Sequence, residues 1–147
     1  MRLLESRALP EGGFPARGGE PFRSDATAWA ILALSRLAPG HPLLGSARDR
    51  LTAAQEPDGR VSISREHEEA FWPTALSILA WHGSEAHEPH CSRSVLFLLK
   101  TTGQHRSKNP DDPVGHDPSI QGWPWIDGTH SWIEPTALGV IALTVAG

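Results

Sequence analysis

The sequence predicts an all-α fold, an array of about three helical hairpins, and three observations carry that prediction. A ten-residue apolar phrase occurs three times, as DATAWAILAL at 25–34, WPTALSILAW at 72–81 and EPTALGVIAL at 134–143. Thr27, Thr74 and Thr136 align in these copies, followed by Ala28, Ala75 and Ala137 and then by Ala33, Ala80 and Ala142. Upstream of each stands a glycine turn: Gly12-Gly13-Phe14, Asp58-Gly59-Arg60 and Gln121-Gly122-Trp123. Glycine to threonine is 14 residues (13 to 27), 15 (59 to 74) and 14 (122 to 136). Amphipathic segments fill the intervals. A phrase repeated at nearly constant internal spacing marks a repeat array, in which each unit buries its apolar face only against its neighbours.

Each apolar phrase reads as a helix, being rich in Ala and Leu and longer with its flanks than a typical strand. Ser24 or Asp25 suits the start of the first, and an acid there complements the helix dipole. Pro73 and Pro135 sit where a first-turn proline is tolerated. Ala28 to Leu34 leave no polar face, so this helix is expected to be covered on both sides. Between the phrases, 43–55 places Leu44, Ala47, Leu51 and Ala54 on one face, and 91–101 places Val95, Leu96, Leu98 and Leu99 on another. These one-sided helices suit an outer layer. Pro57-Asp58-Gly59 is a turn in which proline presets φ and glycine accepts a positive φ. The resulting single repeat domain spans 1–147, with repeats near 1–40, 41–84 and 88–147. The third carries a proline-rich loop at 105–121, long enough to be either functional or mobile.

Composition narrows the function classes. At 147 residues and 39 % apolar content the chain can bury a core. Its net charge is −4, and no basic cluster is dense enough for a nucleic-acid surface. Arg48 and Arg50, and Arg106 and Lys108, read as solvated faces. A single cysteine, Cys91, excludes an internal disulfide framework. The N-terminus lacks an apolar signal region, and no apolar run approaches a membrane span. A soluble, cytoplasmic protein is the expectation.

These residues resemble the prenyltransferase and squalene-oxidase repeats of the terpenoid-cyclase and protein-prenyltransferase α/α-toroid superfamily. The matching elements are GGF at 12–14 before DATAWAILAL, QGWPW at 121–125 before WIEPTALGVIAL, and AAQEPDG at 53–59 before WPTALSILAW. The resemblance implies a ring of helical hairpins, with inner helices around a central cavity that holds a polyisoprenoid in active relatives. Such a ring uses about six hairpins, so this chain would form part of an α/α toroid. Either a homodimer or a missing second half would complete it. The acidic DxDD motif of squalene-type cyclases is absent, because Asp111-Asp112 lies between Pro110 and Pro113 and does not fit it. The zinc-ligand pattern of the protein prenyltransferases is absent too, and no cofactor is expected.

Candidate site residues follow. Trp72, Trp125 and Trp132 are the substrate-binding candidates: aromatic faces at a cavity mouth could hold an isoprenoid or stabilise a cation. The competing reading is that large aromatics fill core, which fits Trp29, Trp81 and Trp123 best. Asp25 and Glu134 occupy equivalent helix starts and are candidate general acids if their surroundings are apolar, or first-turn caps if not. His130 is a third catalytic candidate because its imidazole lies near the same mouth. His87, His90 and Cys91 share helical spacing that zinc could use, yet Pro89 interrupts them and no fourth ligand is evident, so no metal is assigned. The sequence thus supports either a cyclase- or prenyltransferase-like protein acting on or binding a polyisoprenoid, or a non-catalytic module for an apolar ligand or partner protein.

Overall fold

The computed structural model describes residues 2–109, 111 and 117–147. Among these the chain is all-α, with no strand beyond isolated bridges such as Pro15–Phe22 and Gln55–Val61. The helices are α1 (Arg2–Glu5), α2 (Ser24–Leu37), α3 (Leu43–Thr52), α4 (Pro73–Trp81), α5 (Glu88–Lys100) and α6 (Ile133–Ala146), with a 3₁₀ turn at Glu85–His87. The three repeated phrases are α2, α4 and α6. They lie side by side with α4 in the middle, and α3 and α5 back α2 and α4. Ile31, Leu34, Leu51, Leu76, Ile78 and Trp81 fill the fully buried centre. No helix among the described residues is long and apolar enough to cross a membrane.

The aligned threonines explain the repeat. Thr27 Oγ1 accepts a hydrogen bond from the Phe14 N–H at 2.8 Å and donates to the Phe14 carbonyl at 3.2 Å. Thr74 does the same with Val61, at 2.9 and 3.2 Å. Thr136 does so with Trp123, at 3.0 and 3.4 Å. Each inner helix therefore clamps, with one hydroxyl, both backbone groups of a residue in the strap that leads to it. The three N–H groups and the Val61 carbonyl would otherwise lack a partner among the described residues, which is costly, whereas the Phe14 and Trp123 carbonyls also accept from the Arg23 and Trp132 N–H groups.

The clamp also corrects the alignment of the turns. Clamped residue and threonine are 13 apart in all three copies. Gly59 is therefore the counterpart of Gly12, not of Gly13, and the apparent gap of 15 disappears. Both have positive φ, +89° and +97°. A Cβ on Gly12 would meet the Ser46 carbonyl of α3, and one on Gly59 the Arg93 carbonyl of α5. The turns thus need glycine twice over, for backbone conformation and for close approach to the outer helix.

In the third copy the clamped residue is Trp123, and its indole lies on α6 at Gly139. A Cβ there would stand 2.6 Å from Trp123 Cε3. The other copies pair Phe14 with Ala30 and Val61 with Ser77 at these positions. The largest clamped side chain thus faces the smallest helix residue, which accounts for a glycine inside a helix.

Several expectations need correction. Trp29 is 53 % exposed and so is not core, and Leu96 and Leu99 are exposed on α5. The covering of α2 on both sides fails at Trp29 for want of a neighbour on that flank. Arg48 and Arg50 are not simply solvated. Arg48 Nε donates to the Ala80 carbonyl at the end of α4 at 2.9 Å, and the Arg50 guanidinium lies 4.2 Å over the Phe22 ring. Pro89 does not interrupt α5, because it falls in the first turn, where its missing N–H costs nothing. Of Asp111-Asp112, the second lies outside the described residues.

Thr74→Val should cost about 1–3 kcal/mol, because it strips both partners from buried Val61; urea unfolding monitored by circular dichroism measures this. Trp81→Ala should cost about 3–5 kcal/mol, and Trp29→Ala less than about 1 kcal/mol, in the same assay at a protein concentration low enough to keep the chain monomeric. Gly139→Ala, which favours an exposed helix by about 1 kcal/mol, should instead destabilise this protein, since the Trp123 ring occupies the space.

Candidate functional site

Repeat equivalence brings the starts of α2, α4 and α6 to one end of the array, where Asp25, Trp72 and Glu134 hold corresponding positions. Asp25 follows the extended residue Arg23 into α2. Both of its carboxylate oxygens accept from that arginine, Nε to Oδ1 and Nη2 to Oδ2, each at 2.9 Å. This fork-to-fork pairing uses up the oxygens that a proton donor would need. Arg23 was not singled out in the sequence. Its place two residues before Asp25 is the only signal for the pair. Glu134 lies in the first turn of α6 and is exposed. Neither acid makes a side-chain cap at its helix start.

The aromatic candidates form two pairs. Trp72, half-buried just before α4, meets Trp125 edge-to-face with ring centroids 5.0 Å apart. Trp132, 46 % exposed just before α6, has the His130 ring 4.9 Å away at a tilt of 31°. The Trp125 strap is held by the Trp132 N–H donating to the Trp123 carbonyl at 3.1 Å. The Asp127 N–H reaches the Glu69 carbonyl of the preceding repeat at 2.8 Å. Exposed Ile126 and Ile133 flank the two pairs. The structure therefore gathers Trp72 with Trp125, and His130 with Trp132, on adjoining helix starts. Asp25 stands apart on α2. Trp81 and Trp123 serve packing, with the Trp123 indole N–H donating to the Leu98 carbonyl at 3.1 Å.

His87, His90 and Cys91 tie helices together. His87 is held between Ser84 Oγ at 2.8 Å and Asp49 of α3 at 3.0 Å. Arg93 Nη2 donates to His90 Nδ1 at 2.6 Å and to Gln55 Oε1 at 2.7 Å. The Gln55 amide in turn donates to the His90 carbonyl and to Ser94 Oγ. Burial, then the charges of Arg93 and His87, hold the His90 pKa below its ordinary value of 6.5. Burial, with Glu88 nearby, pushes the Cys91 thiol up, so it is a poor nucleophile. Among the described residues, no group of three His, Cys, Asp or Glu side chains is gathered as a metal ion would require.

A cavity of about 320 Å³ opens beside the start of α2, lined by Phe22, Ser24, Arg50, Ser62, Glu66 and Glu68 among others. Ser24 Oγ and Arg50 Nε are buried in its wall without a hydrogen bond to the protein. Polar and charged residues dominate this lining, which does not suit a hydrocarbon, and none of the candidate tryptophans contributes to it.

The His90 shift sets a pH dependence. Its folded pKa lies below the unfolded one, so the unfolded chain binds more protons on acidification. The stability it contributes is full above about pH 6.5 and is lost as pH falls toward the folded pKa. Urea midpoints should therefore drop from about pH 7 to about pH 5, and His90→Asn should show a shallower drop.

Comparison with family models, with curated proteins and with solved structures finds no match to this chain.

Proposed function

We propose that this chain is a non-catalytic helical-repeat module that binds an apolar chain, of the polyisoprenoid class, across the starts of α4 and α6. The observation that carries the reading is the aromatic surface there: Trp72 edge-on to Trp125, with exposed Trp132 and Ile133 on the neighbouring helix start. Broad aromatic faces suit a flexible hydrocarbon. The resemblance to polyisoprenoid-handling repeats points to the same ligand class.

The acids support binding rather than turnover. A general acid for such chemistry needs an apolar, water-poor setting. The Asp25 carboxylate is instead forked by Arg23, and Glu134 stands in solvent. The absence of DxDD fits the same reading.

Titration with farnesol, followed by tryptophan fluorescence and calorimetry, tests the proposal. Saturable binding is expected, with no product on prolonged incubation. Trp125→Ala and Trp132→Ala should each weaken binding about tenfold, the equivalent of about 1.4 kcal/mol. Binding that is absent, or unchanged in both variants, would overturn the reading.

A further inference from the structure

The inner helices present two stripes on opposite sides, given 3.6 residues per turn. One comprises Ser24, Ala28 and Ile31 on α2, and their counterparts Ala75 and Ile78 on α4 with Phe71 two residues before it. All six are buried. The counterparts on α6 are Ile133, 82 % exposed, Ala137, also exposed, and Val140, 53 % exposed. The opposite stripe is Pro73, Leu76 and Ala80 on α4, fully buried, and Pro135, Leu138 and Ala142 on α6, buried or nearly so. Its α2 counterparts are Ala26, Trp29 and Ala33, less covered throughout, with Trp29 the most exposed.

Among the described residues the array therefore has two unpaired edges of opposite kind. Inside the chain α2 packs on α4 and α4 on α6, and the burial pattern fits the first stripe of one helix covering the second stripe of the next in both places. The α6 edge is the first half of that interface, and the α2 edge is the second. The first stripe keeps a small alanine at its centre in all three copies, Ala28, Ala75 and Ala137, which leaves room for a large opposing side chain. Trp29 is the large exposed side chain on the complementary edge.

We infer that a second copy of this chain docks head-to-tail, its α2 edge on the α6 edge of the first, continuing the packing of the inner helices. The contact is heterologous, so it uses different surfaces on the two copies and closes a ring or extends according to its rotation. The apolar area it covers supplies the drive. The inference is separable from ligand binding at Trp29 and Val140, which lie outside the proposed ligand surface, whereas Ile133 belongs to both.

Light scattering over a concentration series tests it on the full chain and on two variants at exposed positions, Val140→Arg and Trp29→Arg, with circular dichroism to check that helicity is kept. The wild-type chain should reach at least twice its 15.9 kDa mass. Each variant alone should be monomeric. Their equimolar mixture should regain association as a pair and no more, because one variant keeps a sound α6 edge and the other a sound α2 edge. Ile133→Glu should behave as Val140→Arg does and complement Trp29→Arg. A wild-type monomer throughout would overturn the inference. So would a mixture that stays monomeric, or loss of assembly in only one of the two arginine variants, which would mean like edges pair with like.

Discussion

One hydroxyl per repeat holds this structure to its spacing. An apolar helix packed among others of its kind has no intrinsic reason to keep a fixed offset from the strap that precedes it. Thr27, Thr74 and Thr136 supply that reason, each accepting from and donating to the backbone of a residue 13 positions earlier. Because the N–H of Phe14, Val61 or Trp123 has that oxygen as its partner, a slip of one residue would orphan it, and at Val61 the carbonyl as well. The glycine turns then follow from the clamp. The strap must pass within contact distance of the outer helix to reach the threonine, and at Gly12 and Gly59 any side chain would collide with a helix carbonyl.

Much of this was legible in the sequence because it recurs. The threonines and the Ala-rich helices stand in three copies, with a turn glycine in each within one residue of the same place, and repetition separates a structural requirement from local accident. What was misread lay where the copies differ. Trp29 sits within an apolar phrase whose α4 counterpart, Leu76, is wholly buried, yet it is exposed because none of the described residues covers that side. Apolar composition shows what a helix prefers to bury, not whether a partner is present. Arg48 looked like part of a charged face, but the end of α4 comes to it from 32 residues away, and no local pattern signals that contact. Gly139 is a weak helix residue by local propensity and a necessary one beneath the Trp123 ring.

The candidate site was legible to a similar degree. Trp72, Trp125, Trp132 and His130 were identifiable one by one from their places near helix starts, and the structure joins them in two pairs. The acids were identifiable by position but not by environment, because Arg23 becomes the partner of Asp25 only once the chain turns into α2. Aromatic surface without a set acid is what separates a binding module from a cyclase-like site, and that distinction rests on surroundings rather than on residue identity.

The most direct test of the clamp is native-state amide hydrogen exchange at Phe14, Val61 and Trp123. All three lie outside helices, where amides ordinarily exchange fast. The clamp predicts that the Phe14 and Val61 amides exchange as slowly as those in the middle of α4, through global unfolding alone, with half-buried Trp123 somewhat faster. Exchange of Phe14 and Val61 at the rate of the surrounding straps would contradict it.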